Sequence, residues 1–222
     1  MNTMITSSPS GQPLTMAPPR TPWVLIAVIV ICCVVEAGLQ LADWNILGPV
    51  RLRSLAYEYG GFWVGLLHSW TPNYSGQPYL MFLTYGFLHG GLLHLVVNMV
   101  TLWSLGQAVL DRVGVRGFIL LYAASLLGGA AGFALLASTL APMVGASGAL
   151  FGLAGGLLAW GYVDRFTLQE ALWPVARTAG LLLTLNVVMW WALDGQLAWE
   201  THLGGFATGW VAALLIDPRP KA

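Results

Sequence analysis

An apolar run from Trp23 to about Leu41, carrying a single charge at Glu36, most restricts what this chain can fold into. At ~1.5 Å per residue such a run crosses a hydrocarbon core of ~30 Å. Lipid offers the backbone no hydrogen-bond partners, so a run of this kind is expected to be helical. Five further runs follow, roughly Gly90 to Gln107, Gly117 to Ala137, Ser147 to Tyr162, Leu172 to Leu193 and Thr201 to Ile216. With 57% hydrophobic and only 8% charged residues in a chain of 222, the expectation is an all-α, multi-pass membrane protein. Net charge is zero, which gives no basis for a nucleic-acid partner. Cys32 and Cys33, the only cysteines, are neighbours inside the first run, so no disulfide framework, zinc site or redox pair is expected. Neither a metal nor a cofactor is expected.

Composition divides the chain into a disordered tail over residues 1–21, a six-helix membrane domain over 22–217 and a short tail over 218–222. The late start of the first run, with no basic region or small-residue cleavage site before it, argues for a retained helix. Residues 43–79 break the apolar pattern with Asp43, Pro49, Arg51, Arg53, Glu58 and Pro72, and read as a long first loop. Its arginines and the aromatics Tyr57, Tyr59, Phe62, Trp63 and Trp70 suit the headgroup level of a bilayer. With a cytoplasmic N-terminus, six spans put Arg20, Arg112, Arg116, Arg165, Arg177, Arg219 and Lys221 inside, and only Arg51 and Arg53 outside. Both termini are then cytoplasmic, and the protein is expected in a bacterial inner membrane. Glu36 reads as a residue of packing or hydration inside the bundle.

Polar residues within the apolar runs cost free energy unless partnered, so they mark where function concentrates. His94 and Asn98 lie four apart on one helix face, with His89 just before them. Ser147 stands among small residues where a loop gives way to the short fourth run. Read alone, it is either filler at a tight helix contact or a nucleophile. His202 opens the sixth run. Gly148, Gly152 and Gly156 recur at every fourth position of one run, and Gly205 and Gly209 do so on another. Small residues at that spacing allow close helix approach in membranes. Packing these faces together brings Ser147 and His202 near one another, within reach of the hydrogen bond that activates a hydroxyl. A helix start at Ser147 also leaves its backbone N–H free to meet developing negative charge. His94 and the Asn98 amide are either interhelical glue or side-chain donors to the same charge.

These residues resemble the rhomboid intramembrane serine proteases. The resemblance rests on Gly145-Ala146-Ser147-Gly148, on His94-x-x-x-Asn98 preceded by His89 in Phe87-Leu88-His89-Gly90, and on His202-x-x-Gly205-x-x-x-Gly209. It implies a six-transmembrane-helix rhomboid-like bundle with a long interfacial first loop. It also implies a Ser147–His202 dyad without a third carboxylate, an oxyanion site from the Ser147 N–H, His94 and Asn98, and substrates that are single-span membrane proteins. Gly145, Gly148, Phe151, Gly152, Gly205, Gly209 and His89 are then structural supports, His89 by bracing the first loop. The sequence departs from the family where Leu80-Met81 replaces a Trp-Arg pair late in the first loop. Phe151 stands where many members have Tyr, and Thr201 where Ala is common before the histidine. An inactive family member and a channel or transporter are the competing classes: the complete dyad residues weigh against the first, and labelling of Ser147 by a serine-reactive fluorophosphonate separates a protease from a transporter.

Overall fold

The computed structural model describes residues 22–47 and 51–217. The two expected tails, with Arg20, Arg219 and Lys221, and also Pro49, lie outside the described residues. Seven α-helices follow in order: α1 (Trp23–Asp43), α2 (Leu52–Gly60), α3 (Gln77–Thr84), α4 (Leu92–Leu136), α5 (Ser147–Thr167), α6 (Trp173–Ala192) and α7 (Trp199–Ile216). Short 3-10 turns at Val64–Leu67 and Tyr85–Phe87 complete the first-loop region. Among the described residues no strand forms, and one antiparallel bridge joins Phe62 to Met143. By length and composition, α1, α4 and α6 are long and apolar enough to cross a membrane. Glycines and polar residues dilute α5 and α7, which occupy the interior.

The expected second and third runs form the single long helix α4, broken at Gly114. There φ is 70° and ψ is −175°, a backbone that glycine adopts without the steric cost of a Cβ. The break divides α4 into two arms, and the neighbouring Arg112 clamps the end of the bundle. Its guanidinium bonds Asp164 of α5 at 2.5 and 3.1 Å and Asp217, just past α7, at 3.2 Å, and lies 5.0 Å from the Trp160 ring centroid. Trp160 Nε1–H donates to the Ala213 carbonyl at 2.9 Å, which closes the same end between α5 and α7.

At the core, α5 and α7 approach backbone to backbone. A Cβ on Gly205 would fall on the Gly148 carbonyl oxygen, and one on Gly209 on that of Gly152. The opposite side of α7 sits against α4 in the same manner, Gly204 meeting Gly128 and Gly132, a contact that the four-residue spacing alone does not reveal. By contrast α6 has no buried residue and packs chiefly along α5. Its half-buried positions are Val175, Ala179, Leu182 and Asn186, a narrow stripe at helical spacing, and every other residue of α6 is exposed.

The first-loop region is more regular than a long irregular segment. Leu52 to Tyr59 contains good helix formers between breakers and folds as α2, and Pro78 sits in the first turn of α3, where its missing N–H costs nothing. Its anchor is Arg53, which turns inward rather than out to headgroups. The guanidinium grips fully buried Glu36 of α1 at 2.8 and 3.1 Å, Asp43 at 2.6 Å and the His89 carbonyl at 2.9 Å. The Glu36 bond holds the arginine above its ordinary pKa. Tyr57 donates to the same carbonyl at 2.7 Å. Glu36 is thus one half of an ion pair rather than a packing or hydration residue. Buried Gln77 fastens α3 to α2 by donating to the Glu58 carbonyl at 2.6 Å. Removing one partner of a buried ion pair leaves an uncompensated charge, so Arg53→Met should destabilise the fold by ~3–5 kcal/mol. Thermal unfolding in detergent should show Glu36→Gln combined with Arg53→Met recovering much of that loss.

Candidate active site

Ser147 is the first residue of α5, so its backbone N–H has no intrahelical partner. The chain reaches it through Gly145, whose φ of 126° lies where only glycine is at ease. That turn is pinned on two sides. Gly145 N–H donates to the Tyr85 carbonyl at 2.9 Å, and Met143 exchanges two 2.9 Å backbone bonds with Phe62 in the first-loop region. The Tyr85 hydroxyl, wholly buried, in turn donates to the Leu126 carbonyl of α4 at 2.7 Å. Thr201 Oγ1 lies 2.8 Å from Met143 Sδ, so the residue found where Ala is common ties the start of α7 to the same turn.

The glycine contact of α5 and α7 brings the side chains of Ser147 and His202 together. His202 Nε2 lies 2.9 Å from Ser147 Oγ. Phe151, one helical turn beyond Ser147, stacks on the imidazole with a centroid distance of 4.2 Å and an interplanar angle of 8°. His202 is 6% exposed. Its other nitrogen, Nδ1, lies 2.8 Å from Oδ1 of Asn186 on α6. This third partner was not singled out from the sequence. The available signal was an amide alone in the run Leu181–Trp191, four positions past Leu182 on the stripe that faces the bundle.

His94 and Asn98 occupy the first turns of α4. The Gly90 N–H donates to His94 Nδ1 at 3.1 Å, so the neutral ring carries its proton on Nε2. That edge faces the turn before Ser147: a Cβ on Gly145 would stand 3.0 Å from His94 Nε2 and 3.8 Å from Ser147 Oγ. Asn98, 4% exposed, donates one amide hydrogen to the His94 carbonyl at 3.0 Å and keeps a second. His89 is fully buried with its ring against that of His94 at 5.3 Å, and neither ring nitrogen has a hydrogen-bond partner among the described residues. Its tie to the first loop runs through its carbonyl, the acceptor for Arg53 and Tyr57, and not through its ring. No cluster of three metal-ligating side chains occurs among the described residues.

An all-helical bundle with lipid-length apolar helices and an enclosed serine–histidine contact defines the class: an integral membrane protein built around a buried polar site. The family model described as Rhomboid domain matches residues 76–219. The chain belongs to the rhomboid family. It is 33% identical over 136 residues to RHOMBOID-like protein 5 of Arabidopsis thaliana, covering 61% of this chain and 43% of that one. To Rhomboid protease GluP of Bacillus subtilis (strain 168) it is 34% identical over 136 residues, 61% of this chain and 25% of that one. To Rhomboid protein 1, mitochondrial, of Saccharomyces cerevisiae it is 33% identical over 135 residues, 55% and 38% of the two chains. The chain thus spans less than half the length of these relatives, which come from plants, a bacterium and a mitochondrion.

The α5–α7 approach sets the Ser147–His202 distance, and a displacement near 1 Å at a catalytic pair costs ~10²-fold in rate. Gly205→Val should therefore slow fluorophosphonate labelling of Ser147 by about that factor. The control is Leu203→Val on the exposed face of the same helix, where the labelling rate should match that of the unaltered protein.

Proposed function

We propose that this chain is an intramembrane serine endopeptidase that cuts single-span membrane proteins in or near their transmembrane segments. The carrying observation is the 2.9 Å contact between Ser147 Oγ and His202 Nε2 inside a rhomboid-family membrane bundle. As Oγ attacks the scissile carbonyl carbon, its proton passes to Nε2. The tetrahedral intermediate collapses, the C–N bond breaks, and the departing amine takes that proton. Water then attacks the acyl-serine and gives a proton to His202; the ester C–O bond breaks, Ser147 Oγ takes that proton back, and the acid product leaves.

In this reading the oxyanion sits among the Ser147 N–H, the His94 Nε2–H and the second hydrogen of the Asn98 amide. The Gly90 bond to His94 supports it, because that bond turns a protonated nitrogen toward the reacting centre. Gly145, Gly148, Phe151, Gly152, Gly205 and Gly209 act by holding this geometry, and His89 by joining it to the first loop.

The same proposal takes 22–217 as the membrane domain, with six spans: α1, the two arms of α4, α5, α6 and α7. The first-loop helices lie at the outer interface, both termini are cytoplasmic, and the membrane is a bacterial inner membrane. The lysine and arginine distribution supports that orientation. The partners are the substrate span and the surrounding bilayer, with no cofactor and no metal. A helical peptide bond is shielded by its side chains and its carbonyl is already bonded, so the substrate must unwind locally. Weak helix formers near the cut should speed cleavage.

The test is cleavage of a model single-span substrate in liposomes. Ser147→Ala and His202→Ala should abolish it, and His94→Ala should lower kcat by ~10²-fold, the usual cost of one oxyanion donor. Cleavage by purified Ser147→Ala would overturn the mechanism.

A further inference from the structure

A neutral imidazole serves as base toward Ser147 only in one of its two tautomers. Nε2 must keep its lone pair, so Nδ1 must carry the proton. The ring plane is set by Phe151, whose face lies parallel to it, and that stacking does not distinguish one nitrogen from the other. Something that binds Nδ1 has to do so. The group within reach is the Asn186 carbonyl oxygen at 2.8 Å, an acceptor, which requires a hydrogen on Nδ1. With His202 only 6% exposed, solvent is poorly placed to take over that role.

We propose that Asn186 is the positioning residue of the serine–histidine pair: its side-chain oxygen holds His202 as the Nδ1–H tautomer and aims Nε2 at Ser147. The proposal rests on the hydrolytic reading above and adds a third member that the sequence motifs do not contain. Asn186 belongs to α6, a helix with no buried residue, held to the bundle by a stripe of which Asn186 is the last member. Ser147, Phe151 and His202 all lie on the tightly packed α5 and α7, so the acceptor for Nδ1 comes from a helix other than those that carry the pair.

Two variants and two readouts test this in the full chain in lipid nanodiscs. Asn186→Leu keeps the branched shape and removes the acceptor, whereas Asn186→Asp keeps an acceptor and removes the amide donors. Nitrogen-15 NMR of histidine-labelled protein, with His202 assigned by loss of its signals in His202→Ala, reads the tautomer directly. The expected result is Nδ1–H in the unaltered protein and in Asn186→Asp, and a mixture in Asn186→Leu. For the model substrate, kcat should fall on the order of 10²-fold in Asn186→Leu with KM within about threefold, and Asn186→Asp should recover most of it. An Nε2–H tautomer in the unaltered protein would sink the proposal. So would a leucine variant that loses kcat while its tautomer is unchanged, since that pattern marks a packing role, or one that keeps both. Failure of the hydrolytic reading is separable, because the tautomer is measured without turnover: an unaltered protein that cleaves nothing but whose tautomer follows position 186 keeps the positioning role and loses the protease.

Discussion

The contact on which this molecule depends is the backbone approach of α5 and α7. Water cannot drive two apolar helices together inside lipid, so their association comes from packing and from polar bonds between them. Close packing requires that no side chain intervene, and Gly205 and Gly209 meet the carbonyls of Gly148 and Gly152 directly. The serine and the histidine are carried at the same end of these two helices. Their separation is therefore a property of main-chain geometry, which tolerates less drift than a contact built from flexible side chains.

Around that pair the remaining elements differ in how firmly they are held. The far end is closed by Arg112, which joins α4, α5 and the residue after α7 through two carboxylates and an indole ring. The near end is closed by hydrogen bonds that connect the turn before Ser147 to Tyr85 and Phe62. α6 is fastened only by its narrow stripe and the Asn186–His202 hydrogen bond among the described residues. A site of this construction sets Ser147 and His202 on two closely packed helices and closes one side with a lightly packed one.

Much of this was legible in the residues. The apolar runs marked the helices to within a few positions, except that the second and third join through Gly114, because a turn carried by one glycine leaves little trace between two apolar stretches. The glycine spacing indicated that Ser147 and His202 would meet. Three pairings were not legible, for one reason: each depends on a partner far away in sequence. One is the approach of Gly204 to Gly128 and Gly132. Glu36 is the single charge of the first apolar run and Arg53 one of two arginines in the first loop, and only the folded path of that loop reveals that one answers the other. Asn186 is a single amide among leucines, valines and tryptophans, and its meaning comes from the imidazole that α7 presents to it. Motifs made of neighbours along a helix can be read from spacing, whereas pairings across elements cannot.

The Arg53–Glu36 pair also bears on how the protein is made. Glu36 emerges from the ribosome within α1, and its partner follows seventeen positions later. An unpaired carboxylate within an apolar helix is costly to bury. Until Arg53 has left the ribosome and docked, α1 has a reason to remain near the polar boundary; the charge pair thus ties its settled position to the segment of chain that follows it.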